Sequence, residues 1–229
     1  MPTTEIGQLS ESFDTVHYLD MSDKTRLCLT ERVPPRADPR FERPTREHAL
    51  RLARETFQRG ERVDMQTLAA ELGVVRSTLY RWVGDREQLL ADVLATFSDA
   101  TWDEALSGAR GSGAERAFDA MERFMRLTAH YEPMRTFAQR EPALALRVVM
   151  SRERTPAQHV SEQLTRIVLE CTGAPLTDEL RDAIELASAV ASAFQWANVA
   201  AGLGAEIERG ALAMRRLIEP ALDQARTAA

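Results

Sequence analysis

Between Val63 and Leu90 the chain reads VDMQTLAAELGVVRSTLYRWVGDREQLL, and its chemistry lies in the second half of that stretch. Arg76, Ser77, Tyr80 and Arg81 fall on one face of a short helix whose opposite face carries Leu79 and Val83. Guanidinium groups, a hydroxyl and a phenol displayed together suit phosphate oxygens and the edges of bases in a major groove. A few residues later Asp85 can cap a longer helix; the free amides of its first turn, together with Arg86, would offer a phosphate site. This is the chemistry of binding and not of bond-breaking. The chain has no HExxH, no GxSxG and no P-loop, and Gly202-Leu203-Gly204 lacks a third glycine and a preceding strand, so no enzyme is expected. Cys28 and Cys171 have no CxxC spacing and no nearby histidine pair. Neither a metal site nor a disulfide framework follows, and no cofactor is implied.

Positioning the recognition face requires a partner helix. Asp64 caps one in which Leu68, Ala69 and Leu72 point inward, and Gly73 supplies the positive φ that ends it. The small side chains of Ala69 and Ala70 allow the two helices to cross closely. Two short helices joined at a glycine turn make a helix-turn-helix.

These residues resemble the TetR family of regulators, through Leu68-Ala69-Ala70, Gly73-Val74, Thr78-Leu79-Tyr80, Arg86-Glu87 and Leu89-Leu90. Arg46, Leu50, Ala53, Phe57 and Gly60 match that family's preceding helix. The chain departs from the family at Val75, where a capping serine or threonine is usual, and at Trp82, Val83 and Arg86. The resemblance implies that Arg76, Ser77, Tyr80 and Arg81 lie near base edges or nearby phosphates, with Arg46, Thr78, Trp82 and Arg86 mainly on the DNA backbone. Trp82 has a second reading, partial burial against the first helix.

From Thr45 onward the apolar pattern is helical, with helices expected at 45–59, 65–72, 76–83, 86–107, 113–130, 133–150, 155–172, 177–202 and 206–226. Pro142 predicts that the segment 133–150 is kinked or is two helices. No β pattern appears. The fold class is therefore all-α, a three-helix DNA-binding domain over 44–91 followed by a larger helical ligand-binding and dimerisation domain over 92–229. Residues 1–43 are acidic, close on a proline cluster and read as a flexible extension. The net charge of −6 is unevenly spread: −3 over residues 1–42, +2 over 43–91 and −5 over 92–229. The stretch that escapes the acidic excess is the one with the helix-turn-helix.

The later helices hold aromatic and methionine side chains that suit either a core or a cavity for an apolar ligand. The candidates are Phe97, Trp102, Met121, Phe124, Met125, Tyr131 and Phe137, with His159 and Gln163 as polar partners. Residues 140–168 are similar to the TetR-type subfamily that controls degradation of acyl-homoserine lactones and γ-lactones (the QsdR type). That similarity implies an apolar tunnel with a polar end for a lactone head; a fatty acyl ligand or a lipophilic drug would suit the same apolar composition, so the expected effector is of lactone or acyl type or a lipophilic drug. Leu186 to Gly204 is free of charged residues, yet Ser188, Ser192, Gln195 and Asn198 dilute it, so no membrane span is expected. By the family resemblance it belongs to a homodimer interface, with Ala183, Ala187, Val190, Phe194, Ala197 and Ala201 facing the two-fold axis. No secretory leader is visible, which points to the cytoplasm. The combined expectation is a ligand-responsive regulator, a repressor that an apolar effector releases from a double-stranded operator. The alternative is an activator or a protein-interaction adaptor on the same fold.

Overall fold

The computed structural model describes residues 43–150 and 155–227, all within the compact unit Pro34–Ala229. The expected acidic extension, residues 1–42, lies outside the described residues. Ten α-helices and no strand are found among the described residues.

Three short helices come first: α1 (Arg46–Gln58), α2 (Met65–Glu71) and α3 (Arg76–Val83). Side-chain caps start two of them: Thr45 Oγ1 accepts from the His48 amide, and Asp64 Oδ1 accepts from the Gln66 and Thr67 amides at 3.0 and 2.9 Å. Gly73, at φ 66°, turns the chain from α2 into α3 in a conformation that other residues rarely adopt. The start of α3 has no side-chain cap, because Val75 occupies that position with its side chain largely exposed.

Then follow α4 (Arg86–Ser107), α5 (Gly113–His130), α6 (Glu132–Arg140), α7 (Pro142–Met150), α8 (Thr155–Thr172), α9 (Asp178–Ala200) and α10 (Ile207–Thr227). The segment 133–150 is thus two helices. A residue before proline is pushed out of the helical region, and Glu141 sits at φ −134°, ψ 60°. Pro142, with no amide hydrogen to leave unpaired, opens α7.

Two apolar cores result. In the first, Leu52, Phe57, Leu68, Leu79 and Val83 of the three-helix head pack with Leu89 and Val93 of α4. The same core takes in Met134 and Phe137 of α6 and Val148 of α7. The second joins Trp102 of α4 to Met121 and Met125 of α5, Leu164 and Ile167 of α8, Ile184 of α9, and Met214 and Ile218 of α10. Helix α4 contributes to both and is the beam between them. At Gly210 α10 comes so close that a Cβ would lie 2.8 Å from Met125 Cε and 3.3 Å from Phe194 Cβ. No helix among the described residues is long and apolar enough to cross a membrane.

Candidate nucleic-acid interface and internal cavity

The buried side chains of α3 are Leu79 and Val83, which leaves the opposite face outward. Arg76, Ser77, Tyr80 and Arg81 are all exposed there, and the Arg76 guanidinium lies over the Tyr80 ring at 5.9 Å from its centroid. Cation–π contact restrains both side chains before any ligand arrives. Thr78 is half-buried on the flank of this face.

The remaining candidates from the sequence are differently engaged. Trp82 is half-buried against the first core. Its backbone carbonyl accepts from Arg46 Nε at 3.1 Å, and Arg46 Nη2 reaches Asp92 Oδ2 at 2.7 Å, so Arg46 ties the end of α3 to α4. Half of the Arg46 side chain is still exposed.

Arg86 corrects the expectation of a phosphate clamp. Its guanidinium points inward, donates in bidentate fashion to Glu141 at 2.5 and 2.6 Å, and donates through Nε to the Val63 carbonyl. Both members of the pair are only 19% exposed. Arg86, one of the positions at which the chain departs from the family pattern, therefore holds the α3–α4 turn to the α6–α7 elbow, a task suited to a planar fork. Its hydrogen bonds with Arg86, with help from Arg62 and Arg140, hold the Glu141 carboxyl below the ordinary carboxylate range against the opposing effect of burial.

Beyond the head, a cavity of about 620 Å³ opens among α1 and α4 to α9. Leu94, Phe97, Met121, Phe124, Leu127, Met134 and Trp196 form its apolar wall. Arg54, Glu104, Arg126 and His130 are exposed and stand at its rim, while Ser98 and Gln195 are buried in its wall. Tyr131 also lines it; burial raises the phenol's pKa, partly offset by a hydrogen bond with Gln58.

Four of the nine ligand candidates, Phe97, Met121, Phe124 and Tyr131, therefore meet at this cavity. The others do not line it. Trp102 is fully buried behind it, stacked on Phe124 at 4.0 Å between centroids. Met125 is buried in the second core, and Phe137 packs edge-on against Phe57 in the first. His159 and Gln163 are both drawn to Asp99 on the outside, at 2.7 and 2.9 Å. Gln195 was missed. In the sequence it counted only as a polar residue diluting an apolar run, but a glutamine between Phe194 and Trp196 in an uncharged helix was the available signal.

Helix α9 brings a second correction. Ala187 is fully buried in the protomer's own core, so it cannot face another subunit. The outward side of the helix shows Leu186, 54% exposed, with exposed Ala189 and Ala197 and half-exposed Val190, Ala193 and Phe194. Ala201 is exposed just beyond its end, and Ala183 packs partly against the second core.

The Tetracyclin repressor-like, C-terminal domain family matches residues 112–219. The solved structure of the R. erythropolis transcriptional repressor QsdR, from the TetR family, superposes with a TM-score of 0.67 at 30% identity, covering 76% of this chain and 93% of that one. The chain belongs to the TetR family. No curated protein sequence matches it significantly. As a TetR-family member it is a transcriptional regulator and not an enzyme, with the helical fold that its sequence predicts. The family match starts at the N-terminus of α5 and therefore lies on the cavity-bearing part, which includes the 140–168 segment similar to the QsdR type, whereas the resemblance to the family as a whole was carried by the head.

Proposed function

We propose that this TetR-family regulator is a homodimeric repressor that leaves its operator when a largely apolar effector fills the cavity. The observation that carries the reading is the outward face of α3, where Arg76, Ser77, Tyr80 and Arg81 are exposed together over a buried Leu79 and Val83. Residues 44–91 act as the DNA-binding domain and 92–229 as the effector-binding and dimerisation domain. Arg76, Ser77, Tyr80 and Arg81 read base edges and near phosphates, with Thr78, Trp82 and the exposed part of Arg46 alongside the backbone. Two copies pair through the outward side of α9, including Val190, Phe194 and Ala197. Their recognition helices then match successive turns of the duplex, roughly 34–36 Å apart. The effector is of lactone or acyl type, in keeping with the apolar wall, and the QsdR structure supports the repressor reading by similarity. The protein works in the cytoplasm, where its operator is.

Ligand and operator compete by favouring different spacings of the heads. Helix α4 carries the linkage, because it enters both cores and supplies Leu94, Phe97 and Ser98 to the cavity wall. Titration of the purified chain onto DNA from upstream of its own gene, over a salt series, tests the function. Selective, salt-sensitive binding that is reversed by a medium-chain γ-lactone or acyl amide is expected; absence of selective binding would sink the reading.

A further inference from the structure

The polar groups in the cavity wall have most of their hydrogen-bond roles already assigned. Gln195 is 3% exposed, and its Nε2 lies 3.2 Å from the Met125 backbone oxygen and 2.6 Å from Thr128 Oγ1. A backbone carbonyl can only accept, so the atom facing it is the amide nitrogen and the orientation of the side chain is decided. Thr128 directs its own proton to the Phe124 and Met125 carbonyls, at 2.8 and 3.2 Å, which leaves a lone pair to receive the second amide hydrogen. Both N–H groups of Gln195 are thus spent on α5. Its carbonyl oxygen has no hydrogen-bond partner among the described residues, and the residue lines the cavity.

Neighbouring hydroxyls add acceptors of the same kind. Thr96 and Thr101, both in the cavity wall, donate to the Val93 and Phe97 carbonyls, which leaves their oxygens able to accept. Ser98 Oγ is buried in that wall with no partner and can donate to a carbonyl. The charged side chains Arg54, Glu104 and Arg126 stay at the exposed rim.

We propose that the cavity selects its effector by a neutral hydrogen-bond donor presented to Gln195 Oε1, and that the effector is an acyl amide with a free N–H. Resting on the effector-cavity reading above, this narrows the ligand class. A plain ester or lactone carries acceptors only, and would bury the Gln195 oxygen without a partner. An amide supplies the N–H for Gln195 and a carbonyl for Ser98, and needs no charge in the apolar interior.

The test uses N-butylhexanamide and its ester counterpart, butyl hexanoate, bound to the full-length chain and followed by intrinsic tryptophan fluorescence, to which Trp196 in the cavity wall contributes, and by calorimetry. Gln195→Met keeps the bulk and removes the acceptor. The amide-to-ester affinity ratio is expected to fall by about tenfold or more, the size set by one unmade buried hydrogen bond, and comparing ratios cancels the different hydration of the two ligands. Gln195→Leu serves if the methionine variant does not fold. A readout on the unmodified chain is independent of both variants: the N-methyl derivative of the amide is expected to bind about tenfold or more weakly than the secondary amide. An unchanged ratio in the variant, or equal binding of the N-methyl derivative, overturns the donor rule and leaves the effector cavity standing. If neither amide nor ester binds the unmodified chain, the effector reading fails and this proposal with it.

Discussion

Replacing Glu141 with glutamine preserves the size of the side chain at the α6–α7 elbow and removes its charge. Three arginines bear on that carboxylate: Arg86 through two hydrogen bonds, Arg62 at 3.7 Å and Arg140 through its field. Breaking a buried ion pair by removing one partner costs about 3–5 kcal/mol. Here both side chains of the main pair are 19% exposed. Since the amide can still accept one N–H, about 2–3 kcal/mol is the working figure. In a protein of this size each kcal/mol moves Tm by about 2–4 °C, so thermal unfolding followed by circular dichroism at neutral pH should show a drop of about 4–12 °C. The pH dependence has a definite sign. Glu141 titrates below its ordinary value of 4.5 when folded, so its contribution is fully present above that value and is lost as pH falls through the folded pKa. The gap in Tm between wild type and variant should therefore close on acidification below pH 4.5. The paired change Arg86→Met with Glu141→Leu should recover much of the loss, because it leaves no charge stranded. A Glu141→Gln variant melting within about 1 °C of wild type at neutral pH would refute the claim that this pair holds the head to the elbow.

Val75→Ser should stabilise the chain by about 1 kcal/mol, seen as a Tm increase of about 2–4 °C, because α3 has no side-chain cap and Val75 is largely exposed. Arg76→Ala should weaken operator binding and reduce the slope of log affinity against log salt by about one if it meets a phosphate; Tyr80→Ala should weaken binding mainly to the specific site. Electrophoretic shift or anisotropy titrations decide both, and an unchanged affinity in either variant removes that residue from the interface. Leu186→Arg, on the outward side of α9, should convert the dimer to monomer in sedimentation, whereas a dimer that survives it places the interface elsewhere.

Much of this protein is determined locally. Apolar residues recurring with the helical period, the caps Asp64 and Asp85, and glycines at positive φ such as Gly73 need no distant partner. For that reason the helix positions, and the face of α3 that looks outward, were legible in the sequence. Three other features depend on residues far apart in the chain, and only the tertiary structure decided them. Arg86 looked free until Glu141, 55 residues away, was brought against it by the turn before Pro142. In α9 an uncharged, alanine-rich helix offers little contrast between its sides, so periodicity left the facing of Ala187 undetermined; packing against the second core buried it and turned Leu186 out. Gln195 was one more polar residue in an apolar run until α5 bound both of its amide hydrogens and left its oxygen to the cavity, a consequence of packing that no pattern along the chain encodes.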